Sequence, residues 1–491
     1  MKKIYPKPSY YAENVEEFVF SDKVYFTIDK NFSNSGFKKL CVELWKNFTA
    51  SKAELVLTEK SNMGNYAVIS KEESFAEMKM NSEYEYEIDC DENAIHINYS
   101  EDVGLIHAFC TILQLISAYR RKTNDFVIKT FKVKDKPALK MRGMHLCIFK
   151  GISPLFVKKC IALCAFLKVS HIALESFGFV KFDSMRELGW PESYEKNEFK
   201  EIIEFGKSLG IEFIPFFNHA GHATQSRHKT GKHVVLNQAP EYEELFMPGG
   251  WTWNVDNEEV IELQRNIRNE LCDMFGEGEF FHIGCDEIVD EVGIWEDTGI
   301  SESDGFSRFL NRTSDDIAKN LGRKTMMWGD MFLDSKDFPY PFCANTNTRE
   351  ELTYSPDKLT DDMYIVDWQY NITEEKDESV RYFIEHVDAS RLILAPWMGR
   401  DKILGRVKLA KKYNLYGVMG TTWNQVMFDI NDMRYTACCM WEEEPDPNEL
   451  RYSYACHAKT MAMQFARKLV PTDNYKDAGF TEDELLNILN I

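Results

Sequence analysis

Two adjacent carboxylates at the end of an apolar run are the residues of this sequence best placed for chemistry. The stretch FHIGCDEI, residues 281–288, begins with apolar residues and then passes through Gly284 into Asp286 and Glu287. Most acidic pairs are simply solvated parts of loops. A pair that closes a buried strand can instead perform acid–base or electrostatic catalysis, so the neighbouring elements must decide between the two interpretations.

Polar and aromatic residues also follow other short apolar runs. Among them are Glu175, His222, Trp328, Asp330, Asp367, Trp368, Tyr370, Trp397 and Trp423. Four of the ten tryptophans of the chain are in this set, although a single tryptophan is more often a core residue. Aromatic faces suit sugar rings and carboxylates suit their hydroxyl groups, so the set favours a carbohydrate site. For His222, either a structural loop role or a partnership with Glu287 is open.

The elements that must position these residues follow a regular pattern. Eight short apolar runs, which begin near residues 143, 171, 212, 279, 325, 364, 392 and 417, alternate with amphipathic helical segments. Eight such units predict a closed (β/α)8 TIM barrel whose active face is built where the strands end. No glycine fingerprint follows the first run, which disfavours a dinucleotide or P-loop fold.

The pattern predicts an α/β protein in three parts. Residues 137–430 form the barrel, residues 1–136 form a small α+β domain before it, and residues 431–491 form a helical extension after it. The first part alternates like strands around residues 23–28, 83–89 and 94–100, followed by a helical pattern from residue 104.

Composition excludes several kinds of partner. The 491 residues include 58 Lys and Arg against 79 Asp and Glu, a formal charge of −21, which disfavours nucleic acids and anionic membranes. No run approaches the roughly 18 apolar residues of a membrane span. The twelve cysteines form no CxxC pair, and the first residues lack the apolar core of a signal peptide. We therefore expect reduced thiols and a cytoplasmic location.

The adjacency of the two acids bears on the mechanism. A retaining glycosidase with a protein nucleophile holds its two carboxyl groups about 5–5.5 Å apart, on opposite sides of the scissile bond. Because consecutive residues of a strand point to opposite faces, we expect Asp286 and Glu287 not to share that task. One acid could protonate the leaving oxygen while an acetamido group of the substrate acts as the nucleophile, with Asp286 holding its N–H.

Several motifs carry a resemblance to a known family. HIGCDE, residues 282–287, resembles the H-x-G-x-D-E signature of glycoside hydrolase family 20, the β-N-acetylhexosaminidases. MRGMHLCIFKG resembles the first barrel strand of that family, and FFNHAGH, MMWGDMF and TTWNQ resemble later strand ends in the same order. The resemblance covers roughly residues 1–440 and is greatest to the branch that contains hexosaminidase D.

The resemblance implies a retaining, substrate-assisted mechanism. In it, Asp286 orients the acetamido group and Glu287 acts as general acid and then as base. Trp328, Trp368 and Trp423 would form the walls of the sugar pocket. It also implies that N-acetylgalactosaminides can be preferred over N-acetylglucosaminides.

Some positions depart from the family pattern. Lys150 replaces an Arg that binds the outer hydroxyls of the sugar, and a lysine cannot copy its bidentate geometry. Glu175 is the nearest carboxylate after the second strand, and it could either support His222 or bind a hydroxyl. Tyr370 is a candidate for the tyrosine that binds the acetamido group.

We therefore predict an exo-acting β-N-acetylhexosaminidase that needs neither a metal nor an organic cofactor. Its partner is a carbohydrate with a terminal N-acetylhexosamine, and the helical extension could pack on a second copy of the chain. One alternative is a β-glycosidase for sugars without the acetamido group. A second is a non-catalytic carbohydrate-binding barrel, which would not require both Asp286 and Glu287.

Overall fold

The structure is a computed structural model. It describes residues 4–49, 53–72, 83–118, 127–149, 152–224, 232–288, 294–295, 298–334, 337–338, 354–423 and 430–445. Two sheets organise this part of the chain, an open sheet of seven strands and a closed barrel of eight.

The open sheet comes first along the chain. Its strands are β1 (Tyr10–Val19), β2 (Lys23–Asp29), β3 (Glu54–Lys60), β4 (Tyr66–Ser70), β5 (Tyr86–Cys90), β6 (Ala94–Tyr99) and β7 (Val127–Asp135). They lie in the order β1-β7-β5-β6-β4-β2-β3, and only β2 and β3 pair in parallel. Two helices, α1 (Ser35–Thr49) and α2 (Asp102–Ala118), pack on this sheet.

The barrel has a strand for each of the eight predicted runs. Its strands are β8 (Met141–Ile148), β9 (His171–Ser176), β10 (Glu212–Phe216), β11 (Phe280–His282), β12 (Lys324–Trp328), β13 (Met363–Asp367), β14 (Leu392–Leu394) and β15 (Gly417–Gly420). Each strand pairs in parallel with the next, and β15 pairs with β8 to close the barrel. The predicted (β/α)8 fold class is confirmed.

Helices surround the barrel and pack it against the open sheet. They are α3 (Pro154–Phe166), α4 (Lys196–Ser208), α5 (Val235–Gln238), α6 (Glu258–Phe275), α7 (Glu302–Leu321), α8 (Glu378–His386), α9 (Arg400–Lys412) and α10 (Ile430–Trp441). Helix α1 contacts α4, and α2 contacts α3. Because α2 therefore lies between two layers, apolar residues such as Leu105, Phe109 and Ile112 are buried around much of its circumference.

Side-chain polarity along each sequence segment explains these elements. Ser153 and Ser301 accept backbone N–H groups at the first turns of α3 and α7, which satisfies donors that a helix leaves unpaired. In the strands, alternate residues pack in two separate cores. Met326 and Trp328 pack inside the barrel, whereas Met327 between them packs against the helices. This alternation directs Trp328 into the barrel.

The predicted helical extension is described only at its start. Helix α10 packs against β8, β15 and α9, and therefore forms part of the barrel wall. Residues 446–491, which make up most of the prediction, lie outside the described residues. The predicted domain boundaries stay predictions. Within the described ranges, every helix is too short or too polar to cross a bilayer.

A buried carboxylate joins the open sheet to the barrel. Asp135, at the end of β7, accepts hydrogen bonds from Tyr86 Oη (2.6 Å), Lys168 Nζ (2.6 Å) and Trp441 Nε1 (2.9 Å). Asp135 and Lys168 are both fully buried. Since Lys168 lies just before β9 and Trp441 ends α10, a single charge pair fixes three parts of the fold relative to each other.

Lys168→Met should destabilise the protein strongly, because it leaves the Asp135 carboxylate buried without its cation. We expect the free energy of unfolding to fall by about 3–5 kcal/mol, measured by urea denaturation. Lys319→Met is the matched control, because Lys319 pairs with Asp315 on the surface of α7 and should change stability little. An equal effect of the two substitutions would contradict the assignment of Asp135 as a joint.

Candidate active site

The chain turns sharply where it leaves strand β11. The strand ends at His282, and Gly284, Cys285 and Glu287 then adopt positive φ angles of 69°, 69° and 47°. A Cβ atom on Gly284 would also lie 2.4 Å from Asn218 Oδ1, so only glycine fits there. The backbone around Asp286 and Glu287 is therefore not extended, so their side chains do not alternate between two faces as in a strand.

The two acids converge on one histidine as a result. His222 Nε2 lies 3.2 Å from Asp286 Oδ2 and 3.3 Å from Glu287 Oε2. The expectation that strand alternation directs the two acids to opposite faces is therefore wrong. They differ in exposure instead, since the Asp286 side chain is 6% exposed and that of Glu287 is 45% exposed.

Asp286 is held between two cations. Lys232 Nζ lies 3.6 Å from Asp286 Oδ2, and His222 approaches the same oxygen. Burial alone would raise the pKa of Asp286, but Lys232 and His222 hold it well below its usual range. Asp286 Oδ1 is buried and accepts no hydrogen bond from any residue the structure describes. Oδ2 of this carboxylate thus faces both cations, and Oδ1 is available to accept a hydrogen bond.

Glu175, at the end of β9, is also a buried anion. It accepts hydrogen bonds from His145 Nε2 (2.8 Å) and Asn218 Nδ2 (2.6 Å), and Lys232 Nζ lies 2.9 Å from it. Burial raises the pKa of Glu175, but Lys232 and His145 outweigh this effect and lower it to about 2. Glu175 is therefore ionised, and Lys232 lies between it and Asp286.

His222 is positioned by the loop that follows β10. Its backbone has φ of 60°, and its ring lies against Trp251, with the centroids 4.3 Å apart. Burial lowers the pKa of His222, but Asp286 and Glu287 raise it to about 9, so the imidazole is protonated near neutrality. The preceding Gly221 lets this loop pass the β11 loop, because a Cβ atom there would lie 2.4 Å from Asp286 O.

The peptide groups of Glu287 are fixed on both sides. Its N–H donates to Asp330 Oδ2 (2.8 Å), and its carbonyl oxygen accepts from Trp251 Nε1 (2.7 Å). Asp330 Oδ1 accepts from Trp368 Nε1 (2.9 Å). Burial, together with the negative charge of Asp286, raises the pKa of Asp330 to about 8. Asp330 therefore links the predicted acid to one of the predicted aromatic residues.

The predicted aromatic residues form a continuous set. Trp328 and Trp423 have ring centroids 5.2 Å apart. Tyr370 lies 5.2 Å from Trp368 and 5.3 Å from Trp397, and Trp423 Nε1 donates to Tyr370 Oη. The indole nitrogens of Trp328 and Trp397 are buried without a hydrogen-bond partner in the described part of the chain. The rings thus form one aromatic cluster, in which Trp328 is fully buried and Trp397 and Trp423 are partly exposed.

Asp367 is a predicted residue that does not join this cluster. Asp367 accepts hydrogen bonds from Ser379 Oγ (2.6 Å), in helix α8, and from the backbone N–H of Gln369 (3.0 Å). Both of its oxygens are thus occupied by the protein. Lys150 lies outside the described residues.

Lys232 was missed by sequence reasoning. It follows no apolar run, and its neighbours Glu175 and Asp286 are far away in the sequence, so no local pattern marks it. The hydrogen bond from Lys232 N to His222 O (2.8 Å) brings it to the site.

One group of side chains has the composition of a metal site. Ligand atoms of His145, Cys147 and Glu175 lie within 4.8 Å of each other and are buried. However, the ammonium group of Lys232 already neutralises Glu175, and His145 Nε2 is hydrogen-bonded to the same carboxylate. A divalent cation would have to displace Lys232, so these residues fit a metal poorly.

Comparison with known proteins identifies the family. The model of the glycosyl hydrolase family 20 catalytic domain matches residues 170–438, which is more than half of the chain. The chain belongs to glycosyl hydrolase family 20. Within the barrel, this match includes strands β9 to β15 and both acids.

Individual family 20 proteins are related to this chain only distantly. It is 23% identical over 281 residues to a chitooligosaccharidolytic β-N-acetylglucosaminidase of Bombyx mori. This alignment covers 54% of this chain and 46% of that protein. It is 22% identical over 375 residues to a lacto-N-biosidase of Bifidobacterium bifidum, which covers 70% of this chain and 31% of that protein. The chain thus spans less than half of the length of these relatives.

A solved structure of similar size shows the same fold. The crystal structure of a β-N-acetylhexosaminidase from Bacteroides fragilis superposes with a TM-score of 0.65 at 17% identity. The superposition covers 99% of this chain and 100% of that one. The common architecture therefore includes both the barrel and the sheet that precedes it.

Asp330→Asn should change how the stability of this family 20 protein depends on pH. With its pKa raised to about 8, Asp330 keeps a proton in the folded state that the unfolded chain releases near pH 4. Its contribution is complete below about pH 4 and is lost as the pH rises towards 8. As the pH rises from about 4 to 8, the melting temperature of the wild type should therefore fall relative to that of Asp330→Asn.

The exposed Asp315 provides the control. Because the Asp315 side chain is 51% exposed, Asp315→Asn should change the melting temperature little at each pH that is tested. A constant difference for Asp330→Asn between about pH 5 and 8 would show that Asp330 ionises normally.

Proposed function

We propose that this protein is an exo-acting β-N-acetylhexosaminidase that works by a retaining, substrate-assisted mechanism. The observation that carries the proposal is the difference between the two acids. Asp286 is buried between cations with one unused acceptor oxygen, whereas Glu287 is half exposed at the same histidine. One acid is thus suited to hold a substrate group, and the other to exchange protons with a leaving group.

Asp286 has the properties that an acetamido group requires. A buried acceptor without a donor costs free energy, and an N–H of a substrate would remove that cost. By accepting this N–H, the carboxylate would orient the acetamido oxygen towards the anomeric carbon. It would also stabilise the positive charge that the cyclised intermediate carries. Lys232 and His222 keep Asp286 ionised for both tasks.

Glu287 would act first as general acid and then as general base. Its exposed carboxyl group can reach the glycosidic oxygen and later a water molecule. Its backbone is fixed by Asp330 and Trp251, so the side chain starts from a defined position. Such preorganisation lowers the entropic cost of reaching the transition state.

The aromatic set would form the sugar pocket. Trp328, Trp368 and Trp423 supply flat apolar faces, and the hydroxyl group of Tyr370 lies among them. Similarity to proteins named β-N-acetylglucosaminidase and β-N-acetylhexosaminidase supports a substrate with a terminal N-acetylhexosamine. We further propose that the protein works in the cytoplasm, which is consistent with the burial of nine of the ten cysteines in the described part of the chain. Association with a second copy stays a prediction.

The substrate class can be tested directly with four aryl β-glycosides. Those of N-acetylgalactosamine and N-acetylglucosamine should be hydrolysed, while those of galactose and glucose should not, because they lack the internal nucleophile. The product should keep the β-configuration, as seen by proton NMR at early times. Turnover confined to galactose and glucose would favour the alternative of a glycosidase for sugars without the acetamido group. No turnover at all would favour a carbohydrate-binding barrel.

The roles of the two acids can be separated with leaving groups of different acidity. Glu287→Gln should reduce kcat/KM, which reports the step that expels the leaving group, by about 10²- to 10⁴-fold on a poor leaving group. On a dinitrophenolate, which needs no proton, the reduction should be much smaller. Asp286→Asn should reduce kcat/KM on both by a similar factor of about 10²- to 10³-fold, because it weakens the attack by the acetamido group. Equal leaving-group dependence in the two variants would refute this division.

A further inference from the structure

Lys232 is the one buried charge of the site that sequence reasoning did not find. It is 2% exposed, and its backbone N–H bonds to His222 O (2.8 Å) beside the acids. Its ammonium group lies 2.9 Å from Glu175 Oε1, 3.3 Å from Asn218 Oδ1 and 3.6 Å from Asp286 Oδ2. An ammonium has three N–H donors, of which Glu175 and Asn218 occupy two, whereas Asp286 is an ion-pair partner beyond hydrogen-bond distance.

Aromatic rings complete the surroundings of this ammonium group. Lys232 Nζ lies 5.0 Å from the ring centroid of Trp423, 5.5 Å from that of Phe177 and 5.7 Å from that of Phe216. Rings at such distances favour a cation and exclude water. Because Glu175 and Asn218 occupy two donors and the other neighbours are Asp286 and aromatic rings, Lys232 is poorly suited to bind a sugar hydroxyl itself.

We propose that Lys232 is a positioning residue, whose ammonium group holds Asp286 ionised and oriented so that Oδ1 faces the acetamido N–H of the substrate. This inference rests on the proposed function. It adds that the β10 loop supplies two cations, Lys232 and His222, to the same oxygen of Asp286. Lys232 also pairs with the buried and ionised Glu175, so its charge is shared between two carboxylates.

The pH dependence of activity is a readout that a purely structural role would not change. In the part of the chain that the structure describes, the acidic and basic side chains closest to Asp286 include Lys232, His222, Glu175, Glu287 and Asp330. His222 and Asp330, with pKa values raised to about 9 and about 8, keep their protons throughout the acid range. Glu175 stays ionised, since its pKa is about 2.

The remaining neighbours of Asp286 are neutral in that range. The pKa of His282 is lowered well below its ordinary value by burial. Those of Cys285 and Tyr370 are raised well above theirs, again by burial. The loss of activity at low pH therefore reports the protonation of Asp286, because Glu287 is required in its acid form for the first step.

The test compares kcat and KM from about pH 2 to 9 for wild type, Lys232→Met, Lys232→Arg and Lys181→Met, because the lowered pKa of Asp286 places the wild-type acid limb below about pH 4. In Lys232→Met, the acid limb of the profile should move to higher pH by about one to three pH units, because a cation beside Asp286 is lost. The loss should be in kcat more than in KM. Lys232→Arg keeps the charge and should keep the limb near its wild-type position, even where the larger group lowers kcat.

Lys181→Met is the matched control, because Lys181 pairs with Glu195 at the surface. It should leave the profile unchanged. An acid limb of Lys232→Met that coincides with the wild type would overturn the proposal. If Lys232→Met does not fold, Lys232→Gln carries the same test, since it also removes the charge.

A thermal cycle tests the pair without relying on activity. If Lys232 holds Asp286, Lys232→Met should lower the melting temperature less in an Asp286→Asn background than in the wild type, because the lost contact is already weakened. The loss of the Glu175 contact is common to both backgrounds and cancels. Equal decreases would refute the pairing. Should wild type hydrolyse no N-acetylhexosaminide, the proposed function fails, whereas this cycle still decides whether Lys232 and Asp286 are coupled.

Discussion

The site depends on the burial of two carboxylates in the middle of the barrel end. An ion removed from water is costly unless opposite charges and hydrogen bonds surround it. Glu175 and Asp286 meet this requirement through Lys232, which lies between them, and through His222, which approaches the same oxygen of Asp286 as Lys232. Both cations belong to one loop and are joined by a backbone hydrogen bond. The loop after β10 therefore supplies the positive charges that keep Glu175, on β9, and Asp286, after β11, ionised.

The geometry of the second acid follows from the end of strand β11. Positive φ angles at Gly284, Cys285 and Glu287 turn the chain so that neighbouring side chains reach one imidazole. Asp330 and Trp251 then bind the peptide groups on either side of the Glu287 side chain. The result is one rigid, buried carboxylate and one exposed carboxyl group on a fixed backbone. This difference in environment gives two acids of similar chemistry different tasks.

The barrel could be predicted because each of its strands is a short apolar run between amphipathic helices. In the open sheet, β1 was not predicted, because its ten residues mix charged and apolar side chains and are largely exposed. Strand ends correctly indicated where polar residues collect, since parallel strands all end on one rim. Lys232 could not be found in this way, because it reaches the rim from a loop. The turn at Cys285 was equally hidden, since glycine at 284 was its only signal in the sequence.

The lack of a side chain at Gly221 is a requirement of the site geometry. The backbone of the β10 loop passes the carbonyl oxygen of Asp286 at a distance that leaves no space for even a methyl group. A side chain at this position would separate the two loops, and with them His222 from both acids. A substitution at position 221 would thus inactivate the protein although it removes none of the functional side chains. A relative with a larger residue at this position would therefore differ in the distance between the two loops rather than in its functional groups.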